Sequence, residues 1–147
     1  MRALTVCQPW AWAIVHGSKD IENRTWHTHF RGTLLLHAGK SRDWFTPDAI
    51  EGIEMLDHRR VSPNMPGMAY GALIGRCRLI DCIPADVAVR RGYRYVSGPW
   101  CFVLADRVAL PRPIPYVGRQ GFFDVPDALI DTPPAKAAEP TLFGGPR

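Results

Sequence analysis

The stretch Pro9 to His16, "PWAWAIVH", narrows the fold of this chain more than any other. At helical spacing Trp10, Ala13 and Ile14 share one face while Trp12 and Val15 lie on another, so a helix here is apolar nearly all round and has to be buried. Pro9 suits a first helical position and Gly17 a residue just past the helix end. Directly after it, "GSKDIENRTW" packs Lys19, Asp20, Glu22 and Arg24 into six positions, although the helix carries no carboxylate, lysine or arginine. What those charges face is the central question about this chain.

Strand patterns dominate the rest. "RALTVCQ" alternates, "KDIENRTW" reads as extended, and the unbroken apolar run of "RGTLLLHAG", Arg31 to Gly39, requires a strand covered on both faces. "YGALIGRCRLIDCI" is a long strand with Arg76 and Arg78 on one face, "PWCFVLADRVAL" a second, and "FFDV" a short last one. A further helix is expected from Thr46 as N-cap, with Pro47 at its first position, to about Arg60. "ADVAVRRGYRYVSG" reads as an exposed connection and "PRPIPYVGRQG" as a loop with proline-spaced turns. Five or six strands with two helices, without βαβ alternation, point to a small, largely antiparallel barrel flanked by helices.

At 147 residues the chain has one domain's length, enough to bury roughly two thirds of its surface. With 46% apolar and 22% charged residues, it has ordinary globular composition. Residues 1–130 are expected to form the domain, and residues 131–147 a Pro/Ala/Gly-rich tail. No apolar run of 18 residues occurs and the N-terminus reads as structure, so a cytoplasmic protein with no membrane partner is expected. Cys7, Cys77, Cys82 and Cys101 lack zinc-site spacing and read as reduced thiols. The net charge of +4 is built mostly from arginine, which suits phosphates and base edges. Arginine-rich codon usage gives the same ratio.

In an extended segment Ile21, Asn23 and Thr25 point one way and Glu22, Arg24 and Trp26 the other. Spacing leaves two readings open. Either Glu22 pairs with Arg24 or Lys19 on a solvated strand, or these charges converge on a ligand, which requires the backbone to bend after Gly17 so that Lys19 aims inward.

"LTVCQPWAWAIVHGSKDIENRTW", followed by "RGTLLLHAGK", "GALIGRCRLIDC", "GPWCFVL" and "PIPYVGRQGFFDV", resembles the ASCH (activating-signal-cointegrator homology) domain family of the PUA-like superfamily. The resemblance runs from about Leu4 to Val125 and implies an α+β, mainly β fold: a small PUA-like β-barrel with two or three flanking helices. It also implies a cleft between the first helix and the barrel, holding Gln8, Trp10, Lys19, Glu22, Arg24 and His37. Superfamily members are associated with RNA, single-stranded nucleic acid and modified nucleosides, so these are the implied partners. A base in such a cleft needs an aromatic face, from Trp10 or Trp26, and edge contacts from Gln8, Glu22 and Arg24. Arg119 and Gln120, between Gly118 and Gly121, are added as ligand contacts.

Lys40, Arg76, Arg78, Arg90, Arg91 and Arg94 are candidate contacts for a nucleic-acid backbone, the last three from the basic, tyrosine-interleaved "RRGYRY". His27, His29 and His37 have no carboxylate or thiol completing a metal set, so neither metal nor cofactor is expected. The favoured function is a nucleic-acid-binding domain acting as a monomer. The alternative is a small hydrolase, a ribonuclease or an amidohydrolase on acylated cytidine, using Lys19 and Glu22 as catalytic residues. In the amidohydrolase branch of the family a threonine nucleophile stands three residues after the lysine, where this chain has Glu22. A Lys19–Glu22 pair is further expected to hold the ammonium charged, which makes it a poor base.

Overall fold

In the computed structural model, residues 1–131 are described. The expected tail therefore lies outside them, except for Asp131. The elements run β1 (Arg2–Val6), α1 (Trp10–His16), β2 (Ile21–Arg24), β3 (Gly32–Ala38), α2 (Pro47–Asp57), β4 (Ala72–Pro84), α3 (Ala85–Arg90), β5 (Trp100–Pro115), β6 (Phe122–Asp124) and α4 (Asp127–Asp131). Among the described residues the six strands form one curled sheet in the order β2-β5-β4-β3-β1-β6, a half-barrel in which only β1 and β3 run parallel.

Curling brings β5 and β6 together around aromatic rings. Trp26 meets Phe102 of β5 and Phe122 of β6 edge-on, with both centroid separations 5.1 Å. Such aromatic contacts add roughly 0.5–1.5 kcal/mol each beyond area burial. β3 is covered on both faces, as its unbroken apolar run requires, with Leu34 to Ala38 all buried.

α1 is laid against the sheet, and Ala11, Trp12, Ala13 and Ile14 are all buried. Close approach is possible because β4 carries Gly75, where a Cβ would lie 2.7 Å from Val15 Cγ2 and 2.9 Å from Val108 O. α2 starts as expected: Thr46 Oγ1 accepts from Ala49 N at 3.2 Å, with Pro47 in the first turn. It ends earlier than the apolar pattern suggests, at Asp57, because His58 takes a left-handed conformation (φ 53°).

Three segments differ from the sequence reading, the first being Asp127–Asp131, a short helix α4 that the pattern did not show. Ala85 to Arg90 is a short helix rather than a bare connection, with Asp86 and Arg90 paired one turn apart at 3.0 Å. Pro111, Pro113 and Pro115 belong to β5 rather than to a loop. β2 pairs only with Trp100 to Val103, so the outer half of β5 is bonded on one side alone and tolerates residues lacking an N–H.

Candidate ligand-binding site

The bend after α1 exists, and a distant arginine holds it. Arg107 of β5 donates from Nη1 to the carbonyls of Ile14 (2.9 Å), Gly17 (3.1 Å) and Lys19 (2.9 Å). Arg59 adds a bond to His16 O at 2.6 Å. Two guanidinium groups thus meet the carbonyl end of α1, where cations are favoured. Gly17 suits the bend, since a Cβ would sit 2.8 Å from the backbone oxygen of Ala13 and 2.5 Å from Asp57 Oδ2.

Lys19 is consequently turned inward and only 2% exposed. Its ammonium donates to Ile21 O and lies 5.8 Å and 5.7 Å from the ring centroids of Trp10 and Tyr95. Burial pushes its pKa below the ordinary lysine value, and the negative charge of Glu22 offsets this only in part. That direction is opposite to the one the Lys19–Glu22 pairing implies. Desolvation outweighs a partner that makes no ion pair.

The side chain of Glu22, a residue at 7% exposure, has no hydrogen bond or ion pair among the described residues. Beside it, Arg24 donates from Nη2 to Thr5 O, while its buried Nε is left without a partner. The solvated ion pair is therefore not what forms. Ile21 points into the core with Ile83, Cys101 and Val103, which fixes the opposite face of β2 toward the site. Asn23 fastens the facing loop: its Oδ1 accepts from Ser97 N (2.9 Å) and Gly98 N (3.0 Å), and its Nδ2 donates to Tyr95 O (2.8 Å).

Tyr95, at φ 63°, completes the wall. Its hydroxyl donates to Asp57 Oδ2 at 3.1 Å, a carboxylate that also accepts from the Ser18 backbone N–H and hydroxyl. Burial and the adjacent Asp57 charge raise the Tyr95 pKa. Burial alone would raise Asp57 too, but the Ser18 and Tyr95 hydrogen bonds and the Arg94 charge bring it below the usual carboxylate range.

These parts enclose a cavity of about 420 Å³ whose lining includes Trp10, Lys19, Glu22, Arg24, Tyr95 and Trp44. Trp10 meets Tyr95 edge-on at 6.1 Å. A second cavity of about 760 Å³ adjoins it and shares the wall formed by Thr5, Cys7 and Arg24. Trp26, His37, Lys40, Arg119 and Gln120 line this second space. There Tyr116 O requires a proton on His37 Nε2 (2.7 Å), so Nδ1 accepts from the Thr5 hydroxyl at 3.1 Å. Burial lowers the His37 pKa, consistent with a neutral ring.

The cleft residues implied by the resemblance are thus divided. Trp10, Lys19, Glu22 and Arg24 share the first cavity. Gln8 lines neither: fully buried, it accepts from Trp12 N (2.8 Å) and donates to Ala69 O (2.8 Å), tying α1 to the chain before β4. The exposed arginines form no single track. Arg78 pairs with Asp106 at 2.9 Å, Arg90 with Asp86 and Arg91 with Asp81 at 3.5 Å, while Arg94 donates to Ser18 Oγ (2.7 Å) and Leu56 O (2.9 Å). Arg76 is exposed on β4 and lines neither cavity. Among the described residues no three His, Cys, Asp or Glu groups are placed to hold a metal, and no helix is long and apolar enough to cross a membrane. Sequence reasoning did not single out Asn23, Trp44 or the anchors Asp57 and Arg107. Only Tyr95 left a signal, as the last residue of the basic, aromatic run.

The ASCH domain profile matches residues 4–96. The chain belongs to the ASCH domain family. Activating signal cointegrator 1 of Homo sapiens and of Mus musculus are each 34% identical over 85 residues, which is 54% of this chain and 14% of theirs. The ASCH protein therefore spans only a small part of the curated relatives it matches. By fold it is similar to the crystal structure of ASCH from Zymomonas mobilis (TM-score 0.55, 15% identity, 87% of this chain and 89% of that one) and to a point mutant of the same protein (TM-score 0.54, 15% identity, 87% and 91%). At that identity the likeness shows the half-barrel with its flanking helices and nothing finer.

Proposed function

We propose that this ASCH domain binds RNA or single-stranded nucleic acid by receiving one unstacked or modified base in the cavity between α1, β2 and the loop at Tyr95. The observation that carries this reading is Glu22, a residue only 7% exposed whose carboxylate lines the cavity with no protein donor among the described residues. Its oxygens are open to the cavity rather than sealed off, so a ligand presenting N–H groups can bond them directly. Nucleobases carry such donors beside acceptors, and the Lys19 ammonium has protons beyond the one given to Ile21 O to meet the acceptors. Trp10 and Tyr95 supply aromatic surface for stacking, worth about 1–3 kcal/mol per base. A volume of 420 Å³ lies low in the roughly 300–1,000 Å³ range of ligand pockets and suits one nucleoside.

The hydrolase alternative draws on the lowered pKa of Lys19, but its ammonium is engaged with Ile21 O and the position of the threonine nucleophile holds Glu22. Incubating the protein with single-stranded RNA and with acylated nucleosides, alongside Lys19→Ala and Glu22→Ala, separates the two. Binding without turnover, weakened in both variants, is the expected result. Turnover that both variants lose would favour the hydrolase, and absence of binding to any RNA homotetramer would sink the binding reading.

A further inference from the structure

We infer that the second cavity is an anion subsite for the phosphate attached to the nucleoside held in the first, so that the ligand is a nucleotide rather than a free nucleoside. This rests on the proposed base site for the class of ligand, and on separate geometry for the anion. The lining includes Arg24, Lys40 and Arg119 and no carboxylate, and none of the three cations makes an ion pair among the described residues. Arg31, Arg60, Arg78, Arg90 and Arg91, outside this lining, each face an Asp or Glu. Three cations therefore converge on one cavity whose lining brings no carboxylate to neutralise them.

Two further observations point to an acceptor-rich ligand. Arg24 Nε is the one buried side-chain polar atom among the described residues without a hydrogen-bond partner, and Arg24 lines both cavities. The backbone N–H groups of Gly118, Arg119 and Gln120 likewise make no hydrogen bond among the described residues. A phosphate offers several acceptor oxygens and a charge that both kinds of donor favour.

The loop is held in position for this. Gly118 lies so close to the β1–β3 wall that a Cβ would come within 2.5 Å of the His37 ring and 2.6 Å of Thr5 Oγ1, and His37 bonds Tyr116 O at its base. Lys40 lies along Gly71, whose Cβ position is 3.1 Å from the lysine Cγ and Cε, so its stem is packed and its ammonium end left exposed. Because the two cavities share Thr5, Cys7 and Arg24, a base in one and its phosphate in the other are separated by one wall.

The direct test is an NMR titration of the full chain with inorganic phosphate. Saturating shifts are expected at the amides of Gly118 to Gly121, weakened about ten-fold or more in Lys40→Gln/Arg119→Gln and retained in Trp10→Ala. A second arm compares nucleosides, their 5′-monophosphates and RNA tetramers. The monophosphates should bind at least about ten-fold tighter than the nucleosides in the wild type but not in the double variant. A tetramer binding more tightly than its monophosphate assigns the subsite to a strand's phosphodiester, and equal affinity assigns it to a free nucleotide. Shifts that are absent at Gly118 to Gly121, or unchanged in the double variant, overturn the subsite. Phosphate shifts at that loop with no binding of any nucleoside or tetramer would instead remove the base site and leave the anion site standing.

Discussion

The two neighbouring cavities use charge in different ways. In the first, Lys19 and Glu22 are almost wholly buried, lie beside indole and phenol rings, and make no ion pair with each other among the described residues. In the second, Lys40 and Arg119 are exposed at the rim with their hydration largely intact. Keeping charge at depth costs folding free energy, whereas an exposed cation costs little and contributes little to stability. Depth and charge therefore separate a wall suited to reading a base edge from one suited to attracting phosphate. This contrast holds even though the cavities share Arg24.

The sharpest attack on the contrast is Lys19→Met/Glu22→Leu, which replaces both buried charges with apolar groups. Stability in chemical denaturation should rise by about 1–4 kcal/mol while RNA binding disappears. A less stable variant would mean that the charges serve the fold. The pH dependence adds a signature. The Lys19 pKa is lowered in the folded state, so between that value and the ordinary lysine value near 10.5 the unfolded chain holds more protons and stability rises with pH. The thiols of Cys7, Cys77 and Cys101, raised by burial, with Cys77 at about 12, give the opposite slope. Subtracting the curve of the double variant from that of the wild type isolates the rise due to Lys19.

Next in size is Trp10→Ala. It should weaken RNA tetramer binding by about 1–3 kcal/mol while leaving the salt dependence of binding unchanged, as anisotropy titrations at several ionic strengths would show. Lys40→Gln/Arg119→Gln should do the reverse, making the slope of log affinity against log salt shallower by about 0.7 for each phosphate of a single strand that is no longer neutralised. If both variants change the slope equally, the cavities do not differ in the way described.

A smaller effect is expected on acidification. The His37 pKa is below the ordinary value, so as pH falls through about 6.5 the unfolded chain takes up the proton first and stability declines until the folded ring titrates. The protection factor of the Tyr116 amide, bonded to Gly71 O, should fall before that of Glu22, since His37 holds that loop through Tyr116 O. The smallest expected effect is that of Arg76→Gln/Arg78→Gln, which should change RNA affinity by no more than about 0.5 kcal/mol, because both lie outside the two cavities.

Much of the fold was legible because local rules and global packing agree. The N-cap of α2, the doubly covered β3 and the buried α1 each follow from residues close in sequence. The prolines of β5 misled because their tolerance depends on a missing neighbour, the short β2, which lies some 90 positions earlier in the chain. Gln8 was misplaced for a similar reason: Trp12 N and Ala69 O engage both ends of its amide in the interior, and the second lies 61 residues away. In the site, Lys19, Glu22 and Arg24 could be singled out from local spacing. Arg107, which holds the bend that turns Lys19 inward, could not.

The amino-acid order by itself determined most of the strands and the first two helices, an apolar first helix that had to be buried, and the face of β2 on which Glu22 and Arg24 stand, because side-chain periodicity is local. Only the tertiary structure decided that Glu22 would be left without a partner, that Arg107 would hold the turn, and that Thr5, Lys40 and Arg119 would meet around a second cavity. Desolvation and hydrogen-bond satisfaction depend on whatever atoms arrive from elsewhere in the chain, and their arrival is set by the closing of the sheet rather than by any neighbouring residue.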